Sequence, residues 1–191
     1  MSVTIHAYSR ARDGAKQLSP NFKVREFACR DGADPIFIAP ALVEVLQTIR
    51  SHFQQPVTVC SGYRTPGHNK KVDGAAYSQH LYGAAADIQV KGVSPAQVAA
   101  FAETLLPDSG GIGVYGTFTH IDVREKRSRW KGRGVVNDLT FGEWKHRQAP
   151  IKMLKETKRS FADWYKEEYG SAPVAPAVTV ELTAPKASPV H

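Results

Sequence analysis

The run Ser78-Gln79-His80-Leu81-Tyr82-Gly83-Ala84-Ala85-Ala86-Asp87, answered further along by Thr119-His120-Ile121-Asp122, constrains this chain more than any other feature. It offers two imidazoles and a carboxylate to one divalent ion. Three protein ligands and one open position describe a catalytic zinc, whereas a structural zinc usually takes four, often thiolates. Geometry decides how these residues could meet. His80 and Asp87 are seven apart, so one uninterrupted strand would point them to opposite faces. One helix would align them, but Gly83 and the β-favouring run Asp87-Ile88-Gln89-Val90 argue against a helix continuing through. The spacing predicts a loop carrying His80, a turn at Gly83 and a strand beginning near Asp87. The alternation in Phe118-Thr119-His120-Ile121-Asp122-Val123 predicts a second strand with His120 and Asp122 on one face. Neighbouring strands would then set Asp87 and His120 side by side, with His80 reaching in.

Each residue alone has a plainer reading: a surface or core histidine, or an aspartate capping a turn. The combination is more specific. Ser-x-His-x(6)-Asp followed by His-x-Asp resembles the zinc D,D-peptidases of the M15 type, which cut peptidoglycan stem peptides. The resemblance is nearest to the murein peptidases of bacteria and phages that end in His-x-Asp. It extends to Leu18-Ser19-Pro20-Asn21-Phe22 with Glu26-Phe27-Ala28-Cys29, and to Ser61-Gly62-Tyr63-Arg64-Thr65-Pro66 with His68-Asn69. Gly110-Gly111-Ile112-Gly113-Val114-Tyr115 and Arg129-Trp130 complete it, so it covers about residues 18 to 130.

The resemblance implies zinc at His80, Asp87 and His120, and Arg64 facing the substrate. A planar guanidinium grips a carboxylate through two parallel hydrogen bonds and can also stabilise an oxyanion. Ser78 either bonds the substrate backbone or serves the turn. Zinc would acidify a water and polarise the scissile carbonyl, while a base takes the proton and returns it to the leaving amine. Here the chain departs from many M15 relatives. They carry a Glu three before the last histidine, or a His two before it; this chain has Thr117 and Phe118. Asp122 is the nearest carboxylate on the correct face, so it is either the base or the group that orients a ligand histidine. Glu125 is a weaker candidate.

Composition fits one globular enzyme domain in 191 residues, with 42% hydrophobic and 23% charged residues. No apolar run reaches the roughly 18 residues that span a membrane. The N-terminus, Met1-Ser2-Val3-Thr4-Ile5-His6, lacks a charged region followed by an apolar stretch, so no secretory signal is expected. A phage or prophage lysin held in the cytoplasm until release to the wall, or a virion component, fits that expectation. Cys29 and Cys60 are expected as thiols with packing roles. The net charge of +7 suits the anionic bacterial wall, with nucleic acid as the rival partner.

Along the chain, residues 1–17 read as a polar extension and 18–135 as the zinc peptidase domain. Helices are expected from Pro40 to Arg50 and from Pro95 to about Leu106, each with proline in its first turn. A strand is expected from Pro56 to Cys60, and residues 61–79 read as a long functional loop. Residues 136–170 read as a helical extension packed on the core or lying on a surface, and 171–191 as a flexible Ala/Pro-rich tail. The expected fold is α+β: a small antiparallel sheet of the hedgehog/D,D-peptidase kind, helices to one side, the metal on its exposed face. The expected protein is a monomeric zinc metallopeptidase acting on peptidoglycan peptide bonds, as carboxypeptidase or endopeptidase. The rivals are a wall-binding module that keeps the fold without the chemistry, and a basic nucleic-acid-binding protein.

Overall fold

Chain order in the computed structural model, which describes residues 3–132 and 180–182, begins with strand β1 (Val3–Tyr8) and a short helix α1 (Arg10–Asp13). A hairpin of β2 (Gln17–Ser19) and β3 (Phe22–Lys23) follows, then a 3-10 turn at Val24–Phe27, strand β4 (Ile36–Ile38) and helix α2 (Pro40–Phe53). Strand β5 (Val57–Ser61), helix α3 (Pro66–Lys71), a 3-10 turn at Gln79–Tyr82 and strand β6 (Ala85–Val90) come next. Helix α4 (Pro95–Leu105) leads to β7 (Gly111–Val114), β8 (Thr119–Asp122) and β9 (Ser128–Lys131), and β10 (Val180–Leu182) returns to pair with β1.

The architecture is α+β. A five-stranded sheet in the order β5-β6-β8-β7-β9 carries the site. It is antiparallel except between β7 and β9, which run parallel, a departure from the all-antiparallel sheet expected. A loop of only five residues separates β8 from β9, so β9 passes by its predecessor to pair with β7.

Helix α2 forms where the apolar spacing predicts it and runs three residues further, to Phe53, ending at Gln54 in the left-handed region. Leu42, Val43, Leu46 and Ile49 are its buried face. At about 1.5–3 kcal/mol each, those four side chains gain roughly 6–12 kcal/mol of burial before chain entropy is charged. Helix α4 starts as its sequence dictates. Ser94 caps Gln97 N–H, Gln97 reaches back to Ser94 N–H, and Pro95 takes the first turn.

The N-terminal extension joins the core, since β1 buries Ile5, Ala7 and Tyr8 and pairs with β4. One expectation is revised. Residues 61–79 are not one loop, because α3 interrupts them; Thr65 caps His68 N–H and Pro66 opens the first turn, a signal the sequence carried. The regions 136–170 and 171–191 lie outside the described residues except for β10. Cys29 is buried and Cys60 part-buried, and both are free thiols.

Arg129 on β9 is buried and donates to Glu103 on α4 and to the carbonyls of Gly110 and Leu106, tying helix to sheet. Burial alone would raise the Glu103 carboxyl, but hydrogen bonds from Arg129 and Arg127 bring it below its ordinary value of 4.5. A lowered folded value means that this stability is present above the unfolded value and lost as pH falls through the folded one. Glu103→Gln is expected to flatten the decline in stability between about pH 6 and pH 3, followed by urea unfolding across that range.

Candidate active site

Each of the three donors is delivered by a separate piece of backbone. His80 sits on the 3-10 turn at Gln79–Tyr82, which Ser78 opens by accepting from His80 N–H. The turn ends at Gly83, where φ is +69° and a Cβ would lie 2.0 Å from the Phe37 carbonyl oxygen. Only glycine fits, since both the left-handed backbone and the close approach exclude a side chain. Gly83→Ala is expected to cost at least about 2 kcal/mol in chemical denaturation. Two residues later β6 begins, slightly earlier than predicted, and carries Asp87. Asp87 is the direct antiparallel partner of His120 on β8, side by side as the alternation predicted.

The three donor atoms form a small triangle. His120 Nδ1 lies 2.9 Å from Asp87 Oδ1, His80 Nε2 lies 3.3 Å from the same oxygen, and the two nitrogens are 3.2 Å apart. A tetrahedral zinc with bonds near 2.0–2.1 Å would set its ligands roughly 3.3 Å apart, so the triangle has the right size. All three side chains are buried, and His80, Asp87 and His120 alone among the described residues make such a cluster.

Hydrogen bonding fixes what each donor presents. His80 Nδ1 is 2.7 Å from the Gly62 carbonyl, which can only accept, so Nδ1 carries the proton and Nε2 keeps a lone pair. His120 Nε2 faces Asp122 Oδ2 at 3.0 Å and donates to that carboxylate, which leaves Nδ1 as the free base. Asp87 turns Oδ1 to the cluster and accepts from Arg64 Nη2 on Oδ2 at 2.5 Å. With both rings neutral, two lone pairs and a carboxylate oxygen aim at one point, an arrangement that could hold a metal ion. Burial and charge act differently on the three groups. Burial pushes His80 below its ordinary value. Burial opposes the charge on His120 too, but Asp122 and Asp87 outweigh it and raise the ring. Asp87 is held well below the carboxylate range, its burial overcome by the two imidazoles.

Asp122 is fully buried and heavily engaged. Besides His120 it accepts from Gly111 N–H at 2.8 Å, from Arg124 N–H at 3.1 Å, and from the Arg124 guanidinium at 2.5–2.9 Å. Burial is overcome by His120 and Arg124, so its carboxyl lies well below the ordinary range. It does not line the cavity above the cluster. Glu125 is exposed on the loop after β8 and does not line it either. The Thr117 carbonyl accepts from Gln89 Nε2 and Thr117 does not line the cavity, whereas Phe118 stacks on Tyr115 at 4.3 Å and lines it.

The cavity is open and about 970 Å³ in volume, enough for several residues of an extended peptide. His80, Asp87 and His120 form its floor with Arg64 and Ser78 beside them. The Arg64 guanidinium is held by Ser61 Oγ at 2.8 Å as well as by Asp87.

Support for the donors comes from the glycine run and Trp130, both part of the resemblance, and from Arg124, to which the sequence assigned no role. Gly111 and Gly113 on β7 oppose Asp122 and His120 across the sheet. A Cβ on Gly111 would meet the Asp122 carboxylate at 2.1 Å, and one on Gly113 would meet the Trp130 indole at 2.4 Å. The glycine pair therefore makes room for the carboxylate behind His120 and for the indole beside it, Trp130 lying 4.9 Å from the imidazole. Arg124, 5.7 Å from the Trp130 ring, clamps Asp122 from the other side. Arg124, Arg127 and Arg129, three cations within six residues, each pair with a carboxylate of the chain itself.

Against models of known protein families, residues 16–122 match the family described as Peptidase M15, more than half of the chain and all three donors included. No curated protein matches it. Sheet, donors and matched span agree: the chain belongs to the M15 family of peptidases.

Proposed function

We propose that this protein is a zinc-dependent peptidase that hydrolyses peptide bonds of peptidoglycan, in the stem or in the cross-link. The observation that carries the zinc is the triangle of His80 Nε2, His120 Nδ1 and Asp87 Oδ1, three atoms close enough to share one ion. Both imidazoles are fixed in the tautomer that a metal ligand needs, and each donor is held from behind by Gly62, Asp122 or Arg64. A bound zinc would supply an acidified water and an electrophile for the scissile carbonyl.

The chain's own residues would do the rest. Arg64 holds Asp87 with one nitrogen and borders the cavity, where a guanidinium can meet a substrate carbonyl or carboxylate. Ser78 caps the turn under His80 and borders the same cavity, so both roles expected of it are compatible with its place. Asp122 is assigned to positioning: it keeps the proton on His120 Nε2 and the lone pair on Nδ1. A carboxylate so well satisfied is a poor proton acceptor.

Peptidoglycan as substrate, and a lysin's life in phage or prophage, rest on the resemblance of the motifs. No helix among the described residues is long and apolar enough to cross a membrane. The test is digestion of purified muropeptides by the full chain with zinc and with chelator, read by chromatography. New amine and carboxyl ends that appear only with zinc are expected. Their absence under every condition would leave the wall-binding module, and salt-dependent binding to nucleic acid unaffected by His80→Ala would favour the second rival.

A further inference from the structure

The charged side chains that border the cavity are accounted for. Arg64 is held by Asp87 and Ser61, and Arg124 by Asp122. Asp73 and Lys131 are exposed, so water can serve them. Gln79 is different. It is only 8% exposed, it borders the cavity, and its carboxamide makes no hydrogen bond to any described residue. Its backbone carbonyl does accept, from Ala84 N–H at 3.1 Å. The turn it belongs to is opened by Ser78, whose hydroxyl accepts from His80 N–H, so the amide is not needed as a cap. Nor are its nitrogen and oxygen walled in by protein. The open space that Gln79 borders is the cavity.

An amide so enclosed is unfavourable unless something pairs with it. The chemistry of the group narrows what that partner is. A carboxamide donates from Nε2 and accepts at Oε1. A carboxylate would satisfy only the nitrogen, and an ammonium only the oxygen. A peptide group presents a carbonyl and an N–H together and matches both ends. Gln79 also precedes His80 directly, so its Cα lies about 3.8 Å from that of a metal donor. The group it pairs with is therefore close to the donors.

We infer that Gln79 reads the backbone of the substrate, with Nε2 donating to a peptide carbonyl and Oε1 accepting from a peptide N–H beside the bond that lies over the donors. This rests on the peptidase reading and adds a specificity-determining residue to it. In the sequence Gln79 is the unassigned position between Ser78 and His80.

The test uses the zinc-loaded full chain and short alanyl peptides, L and D, that carry a hydroxamate at the carboxyl end or at the amino end. The hydroxamate chelates the ion and sets the first peptide group beyond it beside the donors. Each peptide is paired with its ester, in which oxygen replaces the N–H of that group. Affinity is read by calorimetry. In one of the two series wild type is expected to prefer the amide about three- to tenfold. Gln79→Met is expected to bind amide and ester alike, with zinc content and urea midpoint unchanged, because the carboxamide serves nothing inside the protein. Gln79→Glu, which keeps an acceptor for the N–H, is expected to retain part of the preference. Wild type without preference in either series, or Gln79→Met with the full preference, would overturn the assignment. So would a lower urea midpoint for Gln79→Met, which would mark the amide as a structural group. A preference that depends on Gln79 while muropeptides stay intact would sink the peptidase reading and leave this one standing.

Discussion

His120→Ala is expected to lose both zinc and activity. The substitution removes one corner of the triangle and leaves Asp87 Oδ1 and His80 Nε2 as the only donors. Loss of a group that merely supports a ligand weakens metal affinity by about 10–100-fold, so loss of the ligand itself should exceed about a hundredfold. Activity should fall below detection in the muropeptide digest even with excess zinc. The fold should survive, because the core of α2, β4 and α4 does not depend on this ring. Equilibrium dialysis that returned a full zinc complement for the variant would contradict the assignment of His120.

Asp122→Asn should behave differently, and the difference separates two chemistries. As a positioning group, Asp122 stabilises the His120 tautomer and neutralises Arg124. The amide should weaken zinc by about 10–100-fold, and activity should return largely at saturating zinc. It should also lower stability by about 1–3 kcal/mol, because an amide cannot satisfy all the buried donors that the carboxylate accepts from. As a general base, Asp122 would instead leave zinc binding unchanged and lower kcat by about 10²–10⁴ at every zinc concentration. Titration of activity against free zinc distinguishes the two curves. The fully buried carboxylate with five donors around it favours the first.

The sequence carried the donor set because its signal is local. Six residues with a glycine turn between His80 and Asp87, and a strict alternation through His120, leave few geometries. The alternation even foretold that Asp87 and His120 would be neighbours across two strands, which the register shows. What lay hidden depends on contacts distant in the chain. Gly62 O, which fixes the His80 tautomer, is a main-chain atom and leaves no side-chain signature. That Asp122 is sealed behind β7 follows from Gly111 opposite it, a pairing no spacing reveals. Arg124 lies just past the end of β8, and nothing in its spacing pairs it with Asp122 two residues back. The N-terminal stretch looked polar because only Ile5, Ala7 and Tyr8 face inward, too few to stand out before β4 was known to pair with it. The parallel pairing of β9 likewise depends on which strand it passes, a choice made by the whole sheet.

Zinc content with X-ray absorption on the full chain tests the central claim most directly. One ion per chain is expected, bound by two imidazole nitrogens and one carboxylate oxygen near 2.0–2.1 Å, with a light atom in the remaining place. Less than a tenth of an ion per chain after zinc loading, or a shell containing sulfur, would contradict it.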